Sequence, residues 1–190
     1  MYSLQRGEED SFLKIKDKNA NLIFEHDRAE KGVFSYNSKH AIFVIKEWND
    51  TITEMKRRKV KKEKMPMDSL GIYNLQNKTL VKISNVKSYK YPEKWSGYLA
   101  YTYDLTNKHK KDTIKEKKIN KKPSSKNGYP LIIRNLDTEK EDTIPFVLDY
   151  TFSKKEKFIS YVTSGEKNST KPGVYIKDLS NNCLLYTSPS

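Results

Sequence analysis

A short strand motif recurs four times along the 190-residue chain, and no other feature limits its fold as much. The copies are Leu13-Lys14-Ile15-Lys16-Asp17, Leu70-Gly71-Ile72-Tyr73-Asn74-Leu75, Leu131-Ile132-Ile133-Arg134-Asn135-Leu136 and Val174-Tyr175-Ile176-Lys177-Asp178-Leu179. Alternation sets Leu70, Ile72 and Asn74 on one face and Gly71, Tyr73 and Leu75 on the other, the period-2 pattern of a strand. Asn or Asp then opens a turn, and a second strand follows, Thr79–Ile83 in one copy and Thr143–Leu148 in another. Each pair reads as a hairpin.

A second motif precedes the first. Phe34-Ser35-Tyr36-Asn37-Ser38-Lys39 leads into His40–Val44 as Phe152-Ser153-Lys154-Lys155-Glu156-Lys157 leads into Phe158–Val162, and Tyr91–Tyr101 is a looser copy. Starts of the first motif lie 57, 61 and 43 residues apart. Four-stranded units repeating at about 40–50 residues, with insertions between two of the strands, are the blades of a β-propeller. The expected fold is therefore all-β: a partial β-propeller of about three blades of antiparallel strands over residues 1–182. Two long Lys-rich insertions, about 47–68 and 104–129, interrupt it at the same place in successive units. A β-sandwich is the alternative, since alternation alone does not separate the two. Within the first insertion, Thr51-x-x-Glu54 reads as a capping box, starting a helix that runs to near Lys64 before Pro66 stops it. A charged loop without a helix is the other reading.

The formal net charge of +13 is concentrated in those insertions. Residues 54–64 hold Lys56, Arg57, Arg58, Lys59, Lys61, Lys62 and Lys64 against Glu54 and Glu63; residues 108–122 hold eight lysines against Asp112 and Glu116. Lysines outnumber arginines 32 to 5, and arginine is the side chain whose planar fork reads guanine edges. Specific nucleic-acid recognition is not expected, whereas a polyanion-binding module acting through the Lys-rich loops is an alternative function.

Side chains that would carry chemistry are scarce. No G-x-S-x-G elbow and no Gly-rich phosphate loop is present, and His26, His40 and His109 lie in unrelated contexts. No catalytic, cofactor-binding or metal-ligating residue is nominated, and no cofactor is expected. Glu8-Glu9-Asp10 reads as an acidic turn between strands. The longest apolar run, Ala41–Ile45, is far short of the roughly 20 residues of a membrane helix, so no membrane span is expected. The opening Met1–Arg6 has no secretory leader pattern. The final eight residues, Cys183–Ser190, read as an in-frame translation of a sequencing-library adapter, a non-native tail on a chain cut at Asn182.

The most individual stretch is the basic run Lys59–Lys64 entering a strand through Met65-Pro66-Met67-Asp68-Ser69-Leu70-Gly71-Ile72-Tyr73. With Val86–Tyr89, Pro92–Tyr101 and the two Phe-Ser turns, it resembles the N-terminal propeller of bacterial prolyl oligopeptidase family serine peptidases. The resemblance implies a C-terminal α/β-hydrolase domain in cis that carries a Ser-Asp-His triad. This chain would then be the non-catalytic part, gating and selecting peptide substrates. It also implies a periplasmic or cell-envelope location for the parent protein if a leader lies upstream, and a cytoplasmic one otherwise. A stand-alone propeller serving as a protein-interaction scaffold is the competing function.

Overall fold

The computed structural model describes residues 1–4, 10–103, 123–166 and 170–187. They form two compact units, Met1–Val86 and Lys87–Ser190.

The first unit opens with a three-stranded sheet in the order β1 (Tyr2–Leu4), β2 (Phe12–Lys16), β3 (Leu22–Asp27). A four-stranded antiparallel meander follows: β4 (Ala29–Phe34), β5 (His40–Ile45), β6 (Ser69–Asn74) and β7 (Thr79–Ile83). Leu13 and Ile15 of β2 meet Ala29, Ala41, Phe43, Ile45 and Tyr73 in one apolar core. Phe24 stacks on Tyr73 at 4.0 Å between centroids. Gly71 is required here because a Cβ would lie 2.4 Å from the Phe43 ring.

The second unit is one seven-stranded sheet running in sequence order through β8 (Val86–Lys90), β9 (Tyr98–Tyr103), β10 (Tyr129–Asn135), β11 (Glu141–Phe152), β12 (Phe158–Thr163), β13 (Gly173–Asp178) and β14 (Leu184–Thr187). It is two meanders joined through a single 12-residue strand, β11. Glu141–Ile144 pairs with β10 and Asp149–Phe152 with β12, and the register slips between Val147 and Asp149. At the bend, Phe146 takes φ +53°, and Gly128 packs so closely that a Cβ would sit 2.5 Å from the Phe146 carbonyl carbon. The bend lets the two halves bury one shared core, with Leu131, Ile133 and Ile144 from one meander and Tyr150, Ile159, Tyr161 and Tyr175 from the other.

The sequence motifs are turns made of the same bonds. Asp17, Asn74, Asn135 and Asp178, the last polar residue of each first motif, all accept hydrogen bonds from backbone N–H groups two residues on, at 2.8–2.9 Å. In the Phe-Ser motif the N–H of Ser35 donates to the His40 carbonyl, and that of Ser153 to the Phe158 carbonyl, both at 2.9 Å. The two turns are then tied together. Leu75 N donates to Lys39 O, Leu136 N to Gly97 O and Leu179 N to Lys157 O, at 2.8–2.9 Å. The motif lysines act here through their backbones, which is why Gly97 serves equally in the looser copy. Strictly sequential strand order, with none of the crossovers of a Greek-key sandwich, makes these meanders propeller blades.

Candidate functional site

The first insertion leaves β5 and returns to β6 through a charged neck. Lys46, just past β5, pairs with Asp68 at 2.7 Å and with Glu30 at 3.4 Å. Burial works against the Lys46 charge, but the Asp68 hydrogen bond and charge, with Glu30, outweigh it and hold the ammonium above the usual lysine range. The Asp68 carbonyl also accepts the Val86 N–H at 3.1 Å. The aspartate of the Met-Pro-x-Asp-Ser-Leu-Gly-Ile-Tyr stretch therefore closes a neck, and the residues after it enter the core: Leu70, Ile72 and Tyr73 are buried. This stretch is architectural.

Beside the neck, Arg28 takes φ +62° in the β3–β4 turn, donates to the Lys46 carbonyl at 2.9 Å, and lies over the Trp48 ring at 4.5 Å. Trp48 is nevertheless 46% exposed. It precedes helix α1 (Asn49–Arg57), none of whose residues is buried. The expected capping box does not form. Thr51 lies inside the first turn, Trp48 holds the N-cap position without a side-chain bond, and the Asp10 carboxylate takes the Asn49 N–H at 2.9 Å instead. Glu54 pairs with Arg58.

The helix also stops earlier than expected, at Arg57. Lys59 adopts φ +53° and donates to Lys56 O at 2.9 Å, and Val60 N donates to Met55 O at 3.0 Å. This is a Schellman termination, with lysine in the position glycine usually takes. A separate 3-10 turn spans Lys62–Lys64. The outcome is a short helix with no buried residue, and the basic side chains of its last turn and of the segment that follows, Lys56, Arg57, Arg58, Lys59, Lys61, Lys62 and Lys64, are all exposed.

In the second unit, a polar depression of about 400 Å³ lies between the β10–β11 and β13–β14 turns, lined among others by Tyr98, Asn135, Lys140, Asp142, Lys177 and Asn181. Two ion pairs lie in and beside it: Lys177 pairs with Asp142, and Arg134 with Glu141 at 2.8 Å. Tyr101 donates to Glu141 at 2.9 Å, and burial together with that carboxylate pushes its phenol far up. Such a set can recognise polar groups but activates none.

The two described histidines have different surroundings. His40 is buried, with Nε2 3.2 Å from Asn74 Nδ2, and His26 sits against the Phe43 ring. Burial lowers the His26 pKa, with the Lys82 and Arg28 charges adding to the effect. His109, Glu8 and Glu9, and the whole lysine run 108–122, lie outside the described residues. Among the described residues no group of three or more His, Cys, Asp or Glu could hold a metal ion, and no helix is long and apolar enough to cross a membrane. Sequence reasoning missed the Arg28–Trp48 stack and the Lys46–Asp68 neck. Only Asp68, the one charged residue between Met65 and Tyr73, offered a signal.

No family model and no curated protein matches this sequence. Among solved structures, the chain is similar to the tricorn protease (12% identity, TM-score 0.45, 96% of this chain and 15% of that one). It is similar to the β-propeller domain of the Trilobed protease from Pyrococcus furiosus (13%, TM-score 0.46, 95% and 50%). A third likeness is to the Pyrococcus horikoshii acylaminoacyl peptidase (9%, TM-score 0.43, 93% and 28%). The chain thus spans between 15% and 50% of the length of these proteins.

Proposed function

We propose that this chain is the non-catalytic propeller segment of a prolyl oligopeptidase family serine peptidase, gating and selecting peptides for a C-terminal α/β-hydrolase domain in cis. The observation that carries the reading is that the family-like motifs fall where blades are defined. Asp68–Tyr73 enters a central strand, and the Phe-Ser and Asx turns close the hairpins with repeated bonds. Residues 183–190 are proposed to be a non-native tail. Consistent with this, Leu184, Leu185 and Tyr186 of β14 remain 50%, 60% and 42% exposed although the strand pairs with β13. The same reading proposes a periplasmic or cell-envelope location for the parent if a leader lies upstream, and a cytoplasmic one otherwise.

Reading the source DNA outward from both ends tests each part. The expected result is a leader upstream, then, beyond codon 182, further blades, a G-x-S-x-G and later Asp and His. A stop codon after one more blade, with no hydrolase domain, would replace the peptidase reading with a protein-interaction scaffold.

A further inference from the structure

We propose that the α1 excursion is a docking element for an anionic lipid surface, independent of whether the parent is a peptidase. Three observations converge on residues 48–64. First, Trp48, Ile52 and Met55 fall at i, i+4 and i+7, one face of a helix, and none is buried by the core. Second, seven exposed basic side chains follow within nine residues, 56–64; among described side chains only Arg58 has an ion-pair partner, Glu54. Third, the Lys46–Asp68 neck and the Asp10 bond to Asn49 fix the helix to the sheet, so that the patch is presented rather than trailing as a loose tether.

The chemistry selects the partner. Five of the seven cations are lysines, compact charges that suit a diffuse anionic field better than bidentate reading of bases or phosphates. Trp48, the sole aromatic residue of the 48–64 sequence, already has Arg28 over it, so it is poorly placed to stack on a nucleobase. Its exposed edge and the Ile52–Met55 side suit the boundary between headgroups and acyl chains, where short amphipathic helices with basic faces lie. An apolar contact combined with a basic cluster supplies the two signals that stable peripheral binding needs.

Co-sedimentation of the full chain with 100 nm vesicles tests this. Vesicles of phosphatidylcholine with one quarter phosphatidylglycerol should bind the chain at least about tenfold more tightly than pure phosphatidylcholine, and less as salt rises. Substituting Lys56→Gln, Lys59→Gln, Lys61→Gln and Lys62→Gln together should weaken binding at least about tenfold. In the unaltered chain, acrylamide quenching of the exposed Trp48 should fall when anionic vesicles are added, a change that charge attraction by residues 108–122 would not produce. The proposal is overturned by absence of vesicle binding, by equal binding to neutral vesicles, or by unchanged Trp48 quenching. It is equally overturned if neutralising the lysines of 108–122 alone abolishes binding, or if duplex DNA at matched charge strips the chain from vesicles, which would make the patch a nucleic-acid site.

Discussion

Replacing Gly71 by alanine puts one methyl group into the packed core of the first unit. The new Cβ would sit 2.4, 2.7 and 2.9 Å from three atoms of the Phe43 ring, where ordinary contacts lie at 3.4–4 Å. About 1 Å must be recovered, and Phe43 is fully buried, with Phe24 at 5.8 Å and His26 at 5.9 Å between centroids. Overpacking of this kind costs about 1–3 kcal/mol. For a unit of this size that lowers the thermal midpoint by roughly 5–20 °C. Phe43→Leu removes the ring atoms in the way and costs about 1–2 kcal/mol alone. The double variant should be more stable than the two single losses predict, with a coupling of about 1 kcal/mol or more. Urea titrations followed by far-UV circular dichroism give all four corners of the cycle. If Gly71→Ala unfolds at the parent's urea midpoint, or if the two losses simply add, the close packing of β5 on β6 is not as described.

Lys59→Gly should lengthen the lifetime of α1, because glycine takes φ +53° without the Cβ penalty of about 1 kcal/mol; slower amide exchange over residues 52–60 is the measure. Asn135→Ala removes the acceptor of the Asp137 and Thr138 N–H groups and should cost about 1 kcal/mol in urea, with Asn135→Asp retaining most of the stability. Tyr150 and Tyr161 are pushed up to about 12, chiefly by burial. The folded state therefore keeps protons that the unfolded state releases above about pH 10, so stability should decline from pH 10 towards 12. Absorbance at 295 nm and far-UV dichroism should report a late tyrosine fraction titrating together with unfolding. Complete titration near pH 10 with native dichroism would contradict the burial.

The repeated strands and turns were legible because each carries its own local chemistry. An alternating Leu-x-Ile ending in Asn or Asp encodes both a strand and the Asx turn that stops it, and β2, β6, β10 and β13 lie where that pattern sits. The continuity of β11 was not legible. Pro145 and the positive φ of Phe146 break the alternation, so the sequence suggests a strand ending at Leu148 where the chain pairs on to Phe152. The false capping box has a similar origin, since Thr51-x-x-Glu54 satisfies the spacing while the bond to the first turn comes from Asp10, far away in sequence. The neck was hidden because Lys46 and Asp68 are joined only by the fold. The candidate site thus depends on long-range partners that a local pattern does not encode.

The shared strand β11 bears on how the molecule comes apart. In arrays of repeated modules, stability divides into what each module holds by itself and what it gains from its neighbour. In the second unit that neighbour term is covalent as well as apolar, because one strand belongs to both modules and its bend lies under their common core. The two modules should melt as one cooperative body, like a folded sheet of card that cannot be unstacked at its crease. The break in cooperativity falls instead after Val86, at the start of β8, where the chain divides into its two compact units, and shorter versions of this protein are best cut there.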